Sequence, residues 1–175
     1  LWLAVVLIGL AGVLWLGNPY LLHEISHSPW AIGHQTLLSA ISDYGMYPFY
    51  GLFLALLLLG WWRQRSDLRI IGWGYLAAQL IGAVLTVRIL KIMIGQARPG
   101  TARHLEPAYH WIGPTLDNAY HSFPSGHTAD LFTSAIFTSL LLPAGWQRQL
   151  CFGFAIVVGL TRIALDEHYP LDVGT

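Results

Sequence analysis

Charged side chains are scarce in this chain. Only 10% of its 175 residues are Asp, Glu, Lys or Arg, against about 25% in an ordinary soluble domain. The two signs cancel to a formal net charge of zero, so general electrostatic attraction to nucleic acid is excluded. The single cysteine, Cys151, excludes an intramolecular disulfide framework. What remains is 55% hydrophobic, with a mean hydropathy of +0.53, which is the composition of a membrane protein.

Five apolar runs predict membrane-spanning helices. Each has roughly 16–20 residues, near the length that crosses a hydrocarbon core about 30 Å thick. We expect one all-α, membrane-embedded domain over residues 1–175, a polytopic helical bundle with five spans visible of an expected six. Because the chain begins with Leu1 and stops at Thr175 inside a motif-like stretch, we expect both ends to be truncated. The runs cover residues 1–16, 44–62, 70–87, 131–147 and 150–165, and the connection over 17–43 is polar.

Two cations follow the third run. Lys91 and Arg98 are two helical turns apart and share a face if the helix continues, although Pro99 disfavours helical geometry at Arg98. A cation at a helix centre costs about 2.5–3.5 kcal/mol on insertion scales, so a pair at a membrane boundary needs a reason. The side chains either reach lipid headgroups or bind an anion.

The tripeptide Ser125-Gly126-His127 opens the fourth apolar run. Free backbone N–H groups at a helix start bind anions, and glycine lets a ligand approach closely. The Ser125 hydroxyl can add a further contact. In the plainer alternative, Ser125 only caps the helix and His127 lies in the membrane interface. The tripeptide alone does not decide between the two.

A third cluster follows the last run. Arg162 ends that run, His168 comes six residues later, and Asp172 four residues after that. A carboxylate beside an imidazole fixes its tautomer and raises its basicity, which is the arrangement of an oriented histidine base or nucleophile. The alternative is an interfacial ion pair between Asp172 and an arginine.

Taken in order, the three clusters resemble the signature of the type 2 phosphatidic acid phosphatase family. That signature is Lys, six residues, Arg-Pro; then Pro-Ser-Gly-His; then Ser-Arg, five residues, His, three residues, Asp. The chain matches every spacing between residues 91 and 172, and it departs only at Thr161, which replaces the Ser. Thr161 keeps a hydroxyl, so the departure puts only a minor contact in doubt.

The resemblance implies a six-helix membrane lipid phosphatase that needs no metal and no other cofactor. It implies that His168 attacks phosphorus and forms a phosphohistidine, that Asp172 orients His168, and that His127 protonates the leaving oxygen and then activates water. The expected partner is a lipid phosphate in the bilayer, with no nucleic acid. The residues implied to hold the phosphoryl oxygens are Lys91, Arg98, Ser125, Gly126 and Arg162.

Basic residues in short turns predict the orientation. Turn 63–69 has three arginines, and Arg148 lies in the turn near 143–149, which favours the cytoplasmic side for both. The three clusters fall on the other face. We therefore expect a multi-pass protein of the cell (inner) membrane with its site on the outer, periplasmic face.

Other functions stay open. The same site can pass its phosphoryl group to a second lipid, which would make a phosphotransferase, and soluble vanadate-dependent haloperoxidases share these motifs. A transporter would use the buried cations as a pathway. His23-Glu24-Ile25-Ser26-His27 also matches H-E-x-x-H, the zinc protease pattern, in which Glu24 is the base and His34 or Asp43 a third ligand. Because that pattern has only three fixed positions, it more often matches exposed polar residues near lipid headgroups than a zinc site.

Overall fold

The computed structural model describes residues 24–99 and 110–174, so the predicted span at 1–16 lies outside the described residues. All regular structure in the described part is helical, as predicted, and only isolated bridges at Gln96 interrupt the pattern. The α-helices are α1 (Pro29–Gly33), α2 (Gln35–Tyr44), α3 (Tyr47–Trp62), α4 (Ser66–Ala78), α5 (Val87–Ile94), α6 (Gly126–Leu141), α7 (Trp146–Ala164) and α8 (Pro170–Gly174). A π-helical stretch, Gln79–Thr86, joins α4 to α5, and a 3₁₀ turn covers Asn118–Tyr120.

Two helical stretches are long and apolar enough to cross a membrane. Gln35–Trp62 has 28 residues and Ser66–Ile94 has 29. The first contains the predicted run 44–62 and the second contains the predicted run 70–87. Large apolar side chains on both stretches, such as Leu54, Leu58 and Ile81, are exposed. By length and composition these are the two candidate spans, and the predicted five-span bundle goes beyond them.

The helix bounds extend the predicted apolar runs. The polar connection over 17–43 contains α1 and, from Gln35 onward, α2, which buries Leu38 and Ser42, one turn apart, and packs on α7. The fourth helix opens at Gly126 with the Ser125 side chain as its cap, as the tripeptide predicts, and it ends at Leu141 before Pro143. The fifth run, 150–165, corresponds closely to α7.

Small side chains let α6 and α7 pack closely. Leu131 and Ala135 of α6 meet Ala155 and Val158 of α7, and all four are fully buried. Small residues at a helix contact allow the backbones to approach. This packing sets the start of α6 and the end of α7 side by side, which positions two of the three predicted clusters.

Candidate active site

The three clusters meet where α5 ends and where α6 and α8 begin. The Ser125 N–H donates to the backbone carbonyl of Asp172 at 2.8 Å. Lys91 Nζ donates to the carbonyls of His121 at 2.6 Å and Ser122 at 3.1 Å. The polar segment before α6 therefore links the first cluster to the third, as the spacing alone could not show.

A glycine ends α5 and turns the chain toward the site. Gly95 has φ 61°, and a Cβ there would lie 2.0 Å from the Gly113 carbonyl oxygen. A left-handed conformation with backbone this close suits glycine alone. The turn places Gln96 beside the other two clusters, where its carbonyl accepts from the Ser122 N–H at 3.0 Å.

His168 is buried next to Asp172. Its Nδ1 lies 3.4 Å from Asp172 Oδ2, and only 2% of the residue is exposed. With Nδ1 facing the carboxylate, Nε2 is the nitrogen left for a substrate. Burial lowers the pKa of His168 to about 4, and the nearby Lys91 and Arg162 charges act in the same direction, while Asp172 opposes them. The imidazole is therefore neutral at neutral pH, with a lone pair available.

Asp172 is held by donors that the sequence analysis did not single out. Gln96 Nε2 donates to Oδ1 at 2.8 Å, and Ser122 Oγ donates to Oδ2 at 2.5 Å. The Tyr169 N–H adds a third bond to Oδ2 at 3.0 Å. The considered ion pair between Asp172 and an arginine is not formed among the described residues. The sequence signal was their position, since Gln96 lies within the first motif and Ser122 two residues before the second.

Arg162 is also buried, and α2 helps to hold it. Its Nη1 donates to Ser42 Oγ at 2.7 Å and lies 3.8 Å from Asp43 Oδ1, while its Nη2 forms an ion pair with Glu167. Its Nε has no hydrogen-bond partner in the part of the chain that the structure describes. Ser42 was missed because a contact across 120 residues leaves no pattern in sequence. Glu167, only five residues after Arg162, was not singled out in the sequence analysis.

Ser125 caps α6, as the plainer of the two interpretations of its hydroxyl predicts. Its Oγ accepts from the Thr128 hydroxyl at 3.1 Å and from the Thr128 N–H at 3.5 Å. Gly126 is the first residue of the helix, where backbone N–H groups lack helical partners. His127 follows and is partly buried, within electrostatic range of Arg162 and His168.

Arg98 completes the set of cations. Its backbone N–H donates to the Ala119 carbonyl at 2.9 Å, and the residue is partly exposed. Its guanidinium forms no ion pair with a described residue. Of the eight predicted site residues, Ser125 and His168 each contact Asp172, and Lys91 joins them through the Ser122 carbonyl. The other four, Arg98, Gly126, His127 and Arg162, border this group.

A cavity of about 320 Å³ adjoins this cluster. Ser125 and Asp172 line one wall, and apolar side chains such as Val87 and Phe132 form much of the rest. The two histidines do not line it. We therefore place the candidate site at the charged cluster and treat the cavity as its neighbour.

The zinc alternative rests on residues that the structure covers only in part. His23 lies outside the described residues, while Glu24 and His27 are exposed. No group of three potential metal ligands occurs in the ranges 24–99 and 110–174.

Comparison with known proteins identifies the family. A model of the PAP2 superfamily matches residues 67–174, which is more than half of the chain and includes all three clusters. This chain belongs to the PAP2 superfamily. The resemblance seen in the motifs is confirmed at the level of the family.

Several curated PAP2-related proteins are similar to the chain. A lipid A 1-phosphatase of Rhizobium johnstonii is 30% identical over 113 residues, covering 63% of this chain and 45% of that protein. An undecaprenyl-diphosphatase of Sulfolobus acidocaldarius is 30% identical over 98 residues, covering 53% and 47%. An undecaprenyl-diphosphatase of Bacillus subtilis is 26% identical over 161 residues, covering 87% and 71%. The chain thus spans less than half the length of the first two, and no solved structure matches it significantly.

Proposed function

We propose that this PAP2 protein is an integral membrane lipid phosphatase that hydrolyses a phosphate or pyrophosphate monoester of a lipid through a phosphohistidine. The observation that carries the proposal is a buried, neutral His168 with Asp172 at its Nδ1 and with cations around it. The names of the similar proteins support the substrate class, since they are phosphatases of lipid A or undecaprenyl diphosphate.

The reaction would have two displacement steps. In the first, the lone pair of His168 Nε2 attacks phosphorus, the bond to the lipid oxygen breaks, and His127 gives that oxygen a proton. In the second, His127 takes a proton from water, the water oxygen attacks phosphorus, and the P–N bond breaks to release inorganic phosphate. Two histidines can divide the roles of nucleophile and general acid.

Charge stabilisation would come from three cations. A phosphate ester carries up to two negative charges, and phosphoryl transfer depends mainly on positioning and charge neutralisation. Arg98 and Arg162 can bind oxygens bidentately, and Lys91 acts as a point charge. The unpartnered Arg162 Nε is one N–H available to a phosphoryl oxygen. Ser125 and the Gly126 N–H would complete the cradle at the start of α6.

The membrane part of the proposal extends the two candidate spans. The whole chain would be one embedded domain with five of six spans, placed in the inner membrane. The site would lie on the periplasmic face, because the arginine-rich turn 63–69 favours the cytoplasm. A site at the boundary suits a phosphate headgroup whose tail stays in the bilayer.

The test is phosphate release by the purified protein in detergent. The substrates are an isoprenyl diphosphate, phosphatidate, phosphatidylglycerol phosphate and lipid A, each assayed with and without a chelator. We expect release that resists the chelator and a loss of at least about 10³-fold in His168→Ala, in the range seen when catalytic nucleophiles are removed.

Full activity in His168→Ala would contradict the proposed nucleophile. Loss of activity with the chelator would contradict the metal-independent mechanism. Phosphate found on a second lipid rather than in water would mark a phosphotransferase, and saturable uptake without release would mark a transporter.

A further inference from the structure

The carboxylate of Asp172 is surrounded by buried donors. Gln96 and Ser122 are both 0% exposed, and each gives a side-chain hydrogen bond to a different oxygen of Asp172. Neither is a specified residue of the three motifs that carry the resemblance: Gln96 occupies a variable position of the first motif, and Ser122 precedes the second. We propose that Gln96 and Ser122 are positioning residues that hold the Asp172 carboxylate aimed at His168. This inference rests on the proposed function.

The two residues act as one unit with the backbone around them. The Ser122 N–H donates to the Gln96 carbonyl at 3.0 Å, and the Ser122 carbonyl accepts from Lys91 Nζ at 3.1 Å. Gln96 and Ser122 therefore hold each other as well as Asp172. A displacement of either side chain would be felt at the carboxylate that faces His168.

Burial explains why such donors are needed. Asp172 is 2% exposed, and an ionised carboxylate taken out of water is strongly destabilised unless hydrogen bonds replace its hydration. The Gln96 and Ser122 side chains and the Tyr169 N–H supply those bonds. The short 2.5 Å contact from Ser122 lies in the range of hydroxyl bonds to a charged oxygen.

The same donors moderate the attraction between Asp172 and His168. Oδ2 already accepts from Ser122 and Tyr169, and its contact with His168 Nδ1 is the longest of the three at 3.4 Å. Burial is the main cause of the neutral state of His168, and these bonds add to it by spreading the carboxylate charge that would otherwise favour a proton on the ring. Once His168 carries the phosphoryl group, its ring becomes cationic, and the adjacent carboxylate then stabilises the intermediate.

This arrangement predicts a direction for the pH dependence. Without the Ser122 hydroxyl, Oδ2 has one donor fewer and attracts a proton on His168 more strongly. The pKa of His168 then rises, so the acid limb of the activity profile moves to higher pH. A purely structural effect would lower activity without moving that limb. The charged or titratable groups that face His168 are Asp172, Lys91, Arg162 and His127.

The chain provides a matched control in a second polar trio. Gln79 Nε2 donates to Asp130 Oδ1 at 2.8 Å, and Ser134 Oγ donates to the same oxygen at 3.4 Å. Gln79→Leu and Ser134→Ala remove the same groups as Gln96→Leu and Ser122→Ala. They do so away from His168, so they report the cost of losing a buried amide or hydroxyl alone.

The experiment measures kcat, KM and the pH profile for these four variants with an isoprenyl diphosphate. We expect kcat to fall about 10- to 100-fold in Gln96→Leu and Ser122→Ala, the size of a lost bond to a charged group. KM should change less than about threefold, because the phosphate-binding cations remain. The acid limb should move up in Ser122→Ala. Ser122→Thr keeps the hydroxyl and should keep the wild-type limb.

Two results would overturn the inference. The first is that Gln96→Leu and Ser122→Ala both keep the wild-type kcat. The second is that Gln79→Leu and Ser134→Ala lose as much kcat as they do, while the acid limb of the Ser122→Ala profile stays in place. If Gln96→Leu fails to fold, Ser122→Ala and Ser122→Thr decide by the pH profile. If the wild-type protein releases no phosphate, or His168→Ala stays active, the proposed function fails and the inference falls with it.

Discussion

Two polar clusters of the same composition stand in different parts of the fold. In each, a glutamine Nε2 and a serine Oγ donate to an aspartate, and the Gln-to-Asp distance is 2.8 Å in both. The first cluster, Gln96-Ser122-Asp172, lies where the three motifs meet. The second, Gln79-Ser134-Asp130, joins the π-helical stretch to α6. Asp172 is buried and accepts on both oxygens, whereas Asp130 is partly buried and accepts from both donors on one oxygen.

The neighbours decide what each carboxylate can do. Asp172 faces His168, with Lys91 and Arg162 close enough to influence that histidine. Asp130 accepts from the Tyr50 hydroxyl, and Ser134 bonds to the Tyr75 hydroxyl at 2.9 Å. No cation pairs with Asp130 among the described residues.

A hydrogen-bonded trio of this kind is thus a packing device by itself. It becomes part of a candidate site only beside a nucleophile and cations. We therefore expect Asp172 to act through His168. Asp130 instead connects α3, the π-helical stretch and α6, which is a structural role.

The largest difference should appear when each aspartate is changed to asparagine. Asp172→Asn should lower kcat by about 10³- to 10⁴-fold, as the loss of an orienting carboxylate does in other histidine mechanisms. Asp130→Asn should leave kcat within about threefold and lower the melting temperature in detergent, since it weakens the bonds to Gln79 and Tyr50. Steady-state kinetics and thermal melting of both variants check this. A large loss of kcat in Asp130→Asn with an unchanged melting temperature would contradict the structural role of Asp130.

Acid should destabilise the protein through His168. Its pKa is about 4 in the fold against 6.5 as an exposed histidine, so unfolding lets it take up a proton. The contribution is fully present above pH 6.5 and is lost as the pH falls toward 4, up to about 3 kcal/mol at 1.36 kcal/mol per pKa unit.

Melting in detergent as a function of pH measures this loss. In His168→Ala, the melting temperature should fall less between pH 6.5 and pH 4 than it does in the wild-type protein. An identical pH dependence in that variant would show that another group is responsible.

The smallest effect should come from removing the Tyr75 hydroxyl, which bonds to Ser134 of the second cluster. Tyr75→Phe removes the bond between Tyr75 and Ser134 and should cost about 1 kcal/mol of stability, with kcat and the pH profile unchanged. Chemical denaturation in mixed micelles, beside activity with an isoprenyl diphosphate, checks both parts. A shifted pH profile in Tyr75→Phe would instead couple this cluster to the site.

The charged residues of the candidate site could be predicted from the sequence, whereas the residues that hold their side chains in place could not. Lys91, Ser125 and Asp172 converge because their motif spacings belong to a family whose pattern the chain retains. Gln96 reaches Asp172 across 76 residues, and Ser42 reaches Arg162 across 120. Such contacts depend on how helices pack, which periodicity along one segment does not encode.

The helix boundaries show the same limit. The third and fifth apolar runs correspond to helices because hydropathy marks them directly. The helix α2 was missed, since its polar residues hide the face that carries Leu38 and Ser42. The start of α6 at Gly126, by contrast, was predicted, because a serine before Gly126-His127 can cap a helix.

The central claim is that His168, held by Asp172, carries the phosphoryl group. The direct measurement is trapping of labelled protein after rapid acid-free quenching, using an isoprenyl diphosphate with ³²P at its terminal phosphate. His127→Ala should accumulate the intermediate, because water is no longer activated while the lipid monophosphate still leaves readily. The account predicts an acid-labile, base-stable label approaching one per chain in that variant. Adding His168→Ala to it should abolish the label, and a label that persists in the double variant would contradict the account.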